Sequence, residues 1–190
     1  MAAASQMLPL GTPLPEFTLP DVVSQGTVSS RDFAGRPLVV AFICNHCPYV
    51  QHVRQGIADL GRFCEERGVA MVAISSNAVE THPQDGPVPM AQEARAAGYI
   101  FPYLFDESQS VAKAFRAVCT PEFYVFDKEG RLAYRGQLDE SRPGNSVATT
   151  GRDVKSALEA LLADKAPSPD QRASVGCSIK WKRNNAPDYS

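Results

Sequence analysis

Leu38-Val39-Val40-Ala41-Phe42-Ile43-Cys44-Asn45-His46-Cys47-Pro48 joins an unbroken apolar run to two cysteines separated by two residues. The run has strand length and no polar alternation, which suits a strand buried on both faces of a sheet. Pro37 opens it, and a central strand is expected. Downstream of Pro48 the apolar residues Val50, Val53, Ile57, Leu60 and Cys64 recur at steps of three and four, with Gln51, Arg54, Asp59, Arg62 and Glu66 between them. That spacing predicts an amphipathic helix over 48–67, stopped by Gly68. A second apolar run at 69–74 predicts another buried strand, and a strand-helix-strand crossover favours a parallel pair. Cys44 and Cys47 therefore fall where a buried strand hands over to a helix.

Working outward, residues 77–89 read as loop, 90–97 as helix, 100–105 as a short strand, and 108–117 as a helix with Val111 and Phe115 facing inward. Strands at 123–126 and 132–134 flank Asp127-Lys128-Glu129-Gly130, a composition that predicts an antiparallel hairpin. Thr150 and Asp153 resemble a capping box ahead of a last helix carrying Val154, Leu158, Leu161 and Leu162. Residues 1–37, rich in Pro, Gly, Ser and Thr, predict extended segments or a hairpin around 16–19 and 28–33. Beyond Ala163 the chain turns polar and basic. No internal repeat is present. The element order predicts an α/β fold with a central mixed β-sheet flanked by helices, a single domain over 1–163, and a C-terminal extension over 164–190 packing on or near it.

The 190 residues are 44% hydrophobic and 21% charged, with 13 Gly and 15 Pro, the composition of a folded chain rather than a low-complexity one. The longest apolar run, Leu38 to Cys44, is far short of the ~18 residues a membrane helix needs. The opening MAAASQMLPLG has neither the basic nor the apolar region of an export signal. A net charge of −2 gives no electrostatic reason to expect nucleic acid or an acidic membrane, and the cluster Lys180, Lys182, Arg183 reads as solvated surface.

Five cysteines, at 44, 47, 64, 119 and 177, are an odd number in a chain without an export signal, so a disulfide scaffold explains them poorly and a reducing cytoplasmic location is expected. In that setting a close pair is catalytic, redox-sensing or metal-binding. A helix start offers unpaired N–H groups and the positive end of the macrodipole, which stabilise a thiolate. Two intervening residues keep the second sulfur within reach, so a mixed disulfide can be resolved internally. Pro48 costs the helix no bond there. The same spacing is also half of a zinc site, but the second half is missing: Cys64, Cys119 and Cys177 are isolated and His46, His52 and His82 form no helical ligand pair. No metal and no cofactor are expected.

At this point a resemblance enters. Residues 44–48 (CNHCP), 119–123 (CTPEF), 176–182 (GCSIKWK) and the opening Leu14-Pro15-Glu16-Phe17-Thr18-Leu19-Pro20-Asp21 resemble the thioredoxin-fold redoxins. More narrowly they resemble the peroxiredoxin-like thioredoxin family proteins of the alkyl hydroperoxide reductase/thiol-specific antioxidant type. The resemblance implies a thioredoxin-like fold and a cis peptide at Thr120-Pro121, facing the cysteine pair and binding extended substrate backbone. The register departs from thioredoxin, since only Ile43 separates Phe42 from Cys44. Counted from Phe42, Cys47-Pro48 occupies the nucleophile's place and matches the peroxidatic Cys-Pro of peroxiredoxins, with Cys44 where those enzymes keep a Thr. Either sulfur is a candidate for attack. The Pro that peroxiredoxins carry shortly before that Thr has no counterpart in Val39-Val40-Ala41-Phe42.

The expected function is a thiol–disulfide oxidoreductase in which one of Cys44 and Cys47 attacks and the other resolves. His46, with Asn45 and Pro48 around it, tunes the potential, and Thr120-Pro121 positions the substrate. The partners are a protein or low-molecular-weight disulfide and a thiol reductant, with no nucleic acid and no membrane. The alternatives are a thiol peroxidase with Cys47 attacking, Cys44 or Cys177 resolving and Arg116 or Arg142 completing the site, and a non-catalytic metal-binding or interaction module. Cys64 reads as core, His52 and His82 as surface. Cys119 should face away from Thr120 into the core, since neighbouring strand residues alternate. Cys177 lies in a tail that looks mobile, and it and Cys119 are accessory-thiol candidates.

Overall fold

A computed structural model describes residues 2–189. In chain order it holds β1 (Ala2–Ala4), β2 (Thr18–Pro20), β3 (Thr27–Ser29), β4 (Leu38–Phe42), α1 (Pro48–Glu65), β5 (Ala70–Ser75), α2 (Pro87–Ala97), β6 (Tyr103–Phe105), α3 (Ser110–Ala114), β7 (Cys119–Thr120), β8 (Glu122–Phe126), β9 (Leu132–Gly136), α4 (Arg152–Leu162) and β10 (Val175–Ser178). The main sheet runs β6-β5-β4-β8-β9. β4 pairs with β5 in parallel and with β8 antiparallel, so the sheet is mixed as expected. Every residue of β4 is buried, and its side chains alternate between two cores. Val39 and Ala41 join the stripe of α1 with Met90, Val154 and Leu158. Leu38, Val40 and Phe42 pack on the other face with Phe17, Phe115, Tyr124 and Phe126. Burial of the central strand on both sides is what its unbroken apolar run required.

Several boundaries differ from the sequence reading. Residues 87–89 are not loop: Pro87 and Pro89 sit in the first turn of α2, where a missing N–H removes no helix bond. β6 begins only at Tyr103. Ile100 is exposed, and Phe101 leaves the sheet to pack on Gly61, where an added Cβ would lie 2.5 Å from its ring. The helix expected over 108–117 is only α3. β2 and β3 do form an antiparallel hairpin, but residues 30–33 turn into a short 3₁₀ helix capped by Ser29 and Asp32. The capping box at Thr150 and Asp153 is absent, because Gly151 is the N-cap and Asp153 instead accepts from Gln137 Nε2 at 2.7 Å. The N–H groups of Thr150 and Gly151 go to Asp139 Oδ2, each at 2.6 Å. On α4, Leu161 is half-buried and Leu162 exposed.

The largest difference concerns the C-terminal extension, which looked mobile. Val175–Ser178 forms the middle strand of a second sheet, β1-β10-β7. Ile179 is buried in the far core with Trp181 against it, and the backbone of Lys180 bonds to Ala78, Asn77 and Gln109. Among the described residues, no helix is long and apolar enough to cross a membrane.

Candidate functional site

β4 delivers Cys44 and α1 begins at Cys47. The Cys47 carbonyl accepts the first helical bond, from Gln51 N at 2.9 Å, and Pro48 occupies the first helical position. The connecting residues are pinned. Asn45 N and His46 N donate to Asp85 Oδ1 at 2.8 and 3.1 Å, Asn45 Nδ2 donates to the Gln84 carbonyl at 2.8 Å, and Asn45 Oδ1 accepts from Tyr103 Oη at 3.2 Å. Both cysteines are closed off, Cys44 1% and Cys47 0% exposed.

The two sulfurs are chemically unequal. Cys47 is held down to about 4, chiefly by the Cys44 thiol donating to it, against the opposing effect of burial. The Cys177 thiol and the backbone N–H groups of Val50 and Cys177 add to that stabilisation. Cys44 is pushed up by the same bond to Cys47, by burial and by the negative charge of Asp85. At neutral pH the pair therefore shares one proton, which sits on Cys44, and the thiolate is Cys47.

Thr120 and Pro121 close the site from the opposite side. Their peptide bond is cis, as the resemblance implied. Thr120 Oγ1 lies 3.3 Å from Cys44 Sγ, and the Thr120 carbonyl lies 3.2 Å from Cys47 Sγ, where it accepts the thiol proton whenever Cys47 is protonated. This segment was expected to offer its backbone to substrate. Instead Thr120 is 3% exposed and pairs antiparallel with β10, Cys177 standing opposite it. Cys177 is half-buried and raised to about 11, by burial first and by its bond to Cys47 second.

His46 Nδ1 donates to Asp85 Oδ2 at 2.5 Å and lies 3.8 Å from Cys44 Sγ. It therefore stands beside the resolving candidate, and its proton is committed to a carboxylate. Cys64 is buried on the α1 stripe and raised by burial to about 12, and Cys119 is buried, raised by burial and by Glu122, facing away from the pair. His52 is exposed, with Nε2 2.8 Å from Ser141 Oγ. His82 is not a free surface residue: its ring packs 4.6 Å from that of His46, and burial lowers its pKa. Neither arginine completes a peroxide site. Arg142 donates to the carbonyls of Asp139 and Ser141 and to Gln137, and Arg116 lies over the Tyr189 ring.

Asp85 is the residue that sequence reasoning missed. Fully buried, it accepts from two backbone N–H groups, His46 and Asn77 Nδ2 (2.8 Å). An acid among Pro83, Gly86, Pro87 and Pro89 reads as loop, and nothing local marks it; its partners Asn45 and His46 stand some 40 positions away. The ligand atoms of Cys44, His46 and Asp85 lie within 4.8 Å of one another and could hold a metal ion. The acceptors of Asp85 are already saturated by protein donors, so this cluster is complete as it stands.

The model of the AhpC/TSA family matches residues 10–135. A crystal structure of an uncharacterized conserved protein from Geobacillus kaustophilus is similar at 45% identity and TM-score 0.95, covering 98% of each chain. A hypothetical protein from Sinorhizobium meliloti 1021 is similar at 42% identity and TM-score 0.91, over 94% of this chain and 98% of that one. The thioredoxin domain of a thiol-disulfide oxidoreductase from Bacteroides vulgatus shares the fold at 17% identity and TM-score 0.59, over 78% of this chain and 96% of that one. No match was found among curated proteins.

Proposed function

The chain belongs to the AhpC/TSA family and carries a thiol redox function, and from that premise we propose that it is a thiol–disulfide oxidoreductase in which Cys47 attacks and Cys44 resolves. What supports this most directly is the placement of two adjacent buried sulfurs at a helix start, with Cys47 lowered and Cys44 raised by the bond between them. Cys47 is a preformed thiolate at neutral pH. It attacks one sulfur of a disulfide, forming a mixed disulfide and expelling the other sulfur as a thiolate. Cys44, losing its proton to that leaving group, then attacks Cys47 Sγ, which breaks the mixed disulfide, releases the second half of the substrate as a thiolate that takes a proton from solvent, and closes the 44–47 disulfide. A stabilised thiolate also favours the reduced protein, which makes the disulfide form an oxidant. No cofactor is required for this exchange, and its proposed setting is a reducing cytoplasm with a thiol as the recycling partner.

A second reading, peroxide reduction at the same Cys47, is favoured by the burial of both sulfurs, which a small oxidant tolerates better than a protein disulfide does. Among the described residues, however, no arginine bonds either sulfur to stabilise a leaving hydroxide. Stopped-flow reaction of the reduced protein with hydrogen peroxide and with glutathione disulfide, side by side, separates the two. Disulfide exchange should dominate. Peroxide consumption far above that of a free thiol, with negligible disulfide reduction, would replace the first reading by the second. Stoichiometric metal in the purified protein with no 44–47 disulfide after mild oxidation would replace both by a metal-binding module.

A further inference from the structure

The exchange chemistry just assigned meets an obstacle of access. Cys47 is the nucleophile yet has no exposed surface, and the backbone edge of Thr120 that a substrate strand would use is taken by β10. That occupation is built into the sequence. Ile179 N donates to the Val118 carbonyl at 2.9 Å, continuing the β10–β7 pairing, and a Cβ added to Gly176 would lie 2.0 Å from the Thr120 carbonyl oxygen, so only glycine admits this approach. The strand lying in the substrate's place presents a sulfur of its own. Cys177 stands opposite Thr120, whose Oγ1 lies 3.3 Å from Cys44 Sγ and whose carbonyl oxygen lies 3.2 Å from Cys47 Sγ; Cys177 packs against the core that holds the pair, and it alone of the five cysteines is not buried.

Resting on the disulfide-exchange reading, we propose that β10 is a built-in substrate strand and that Cys177 is the port through which disulfide equivalents enter and leave the buried Cys44/Cys47 pair. The Cys177 thiolate attacks a low-molecular-weight disulfide RSSR, forming Cys177–S–SR and releasing one thiolate RS⁻. Cys47 then attacks the Cys177 sulfur, forming the 47–177 disulfide and releasing the second RS⁻. Cys44 attacks Cys47 Sγ, closes the 44–47 disulfide and returns the electron pair to Cys177. Two protons, from the Cys177 and Cys44 thiols, go to the two RS⁻ groups, and Cys177 regains one from solvent as the pair gives up its thiolate. One external disulfide is reduced and one internal disulfide formed. Reduction runs the same steps backwards, and an external thiol attacking the 47–177 disulfide hits Cys177, because Cys47, the sulfur with the lower pKa, is the better leaving group.

The high pKa of Cys177 does not disqualify it. Burial leaves little Cys177 thiolate at neutral pH, but the intrinsic nucleophilicity of a thiolate rises with its basicity. Cys177 also has exposed surface, which Cys47 lacks.

The test uses the full chain and glutathione disulfide as probe. In Cys47→Ser, peptide mass spectrometry should find the glutathione adduct on Cys177. In Cys44→Ser, where the disulfide cannot move on, it should find a 47–177 disulfide. Cys177→Ser and Cys177→Ala should each form the 44–47 disulfide at least about tenfold more slowly than wild type. A 44–47 disulfide forming at the wild-type rate in both Cys177 variants overturns the port and leaves the exchange reading standing. So does an adduct on Cys44 rather than Cys177 in Cys47→Ser, an observation that does not depend on whether the Cys177 variants fold. No 44–47 disulfide in the wild type at any glutathione disulfide concentration overturns the exchange reading and the port with it.

Discussion

At the scale of single residues, the site is an arrangement of protons. The Cys44 thiol, the Cys177 thiol and two backbone N–H groups converge on one sulfur, which is why a buried cysteine can be ionised at all. The thiolate absorbance of the reduced protein should accordingly fall away near pH 4 and vanish in Cys47→Ser, while Cys64→Ser leaves it intact; an inflection between pH 8 and 9 would contradict the assignment. Asp85 controls the partner sulfur, since its charge helps to raise Cys44. Asp85→Asn should lower the second thiolate titration, that of Cys44, without moving the first. Asp85→Ala leaves Asn45 N, His46 N and Asn77 Nδ2 without their acceptor, and should cost about 2–3 kcal/mol in a denaturant titration.

At the scale of elements, close approach decides more than propensity does. β10 reaches β7 because Gly176 has no side chain. Gly176→Val should separate the two strands, with faster hydrogen exchange at Ile179 N and a loss of about 1–3 kcal/mol, the cost of overpacking. The start of α4 tests a different point. The N–H groups of Thr150 and of the N-cap Gly151, which set the entry to the helix, are held by Asp139, twelve residues before Gly151, with no local box. Asp139→Ala should therefore destabilise by about 1–3 kcal/mol, whereas Thr150→Ala, which removes a single 3.3 Å bond to Arg152 N, should cost a few tenths. Comparable losses in the two variants would restore the capping box.

At the scale of the whole molecule, the redox state and the stability are linked. Cys47 is depressed from an ordinary value near 9 to about 4, so its ionisation stabilises the folded reduced protein fully above pH 9, and that stabilisation is lost as the pH falls through 4. Cys44, raised, is protonated in folded and unfolded chains alike below pH 7 and contributes nothing in that window. The 44–47 disulfide form has no thiolate. Reduced protein should therefore melt higher than oxidised protein at pH 7, and the advantage should shrink steadily as the pH is lowered toward 4. An advantage independent of pH would show that the thiolate is not its source.

Local sequence signals were enough for the central sheet, the helix after Cys47, the parallel β4–β5 pair, the β8–β9 hairpin and the cysteine pair at a helix start. Those features are carried by short-range apolar periodicity, by turn composition at Asp127-Lys128-Glu129-Gly130 and by the stop at Gly68, all of which act over a few residues. Tertiary structure decided which sulfur ionises, because the Asp85 charge that helps to raise Cys44 and the Cys177 thiol that helps to lower Cys47 are both brought in from distant parts of the chain. It also decided that the polar tail is a strand. Val175-Gly176-Cys177-Ser178 has too little apolar pattern to mark one, and it becomes one because the open edge of β7 needs hydrogen-bond partners and Gly176 lets the backbone come close enough to supply them.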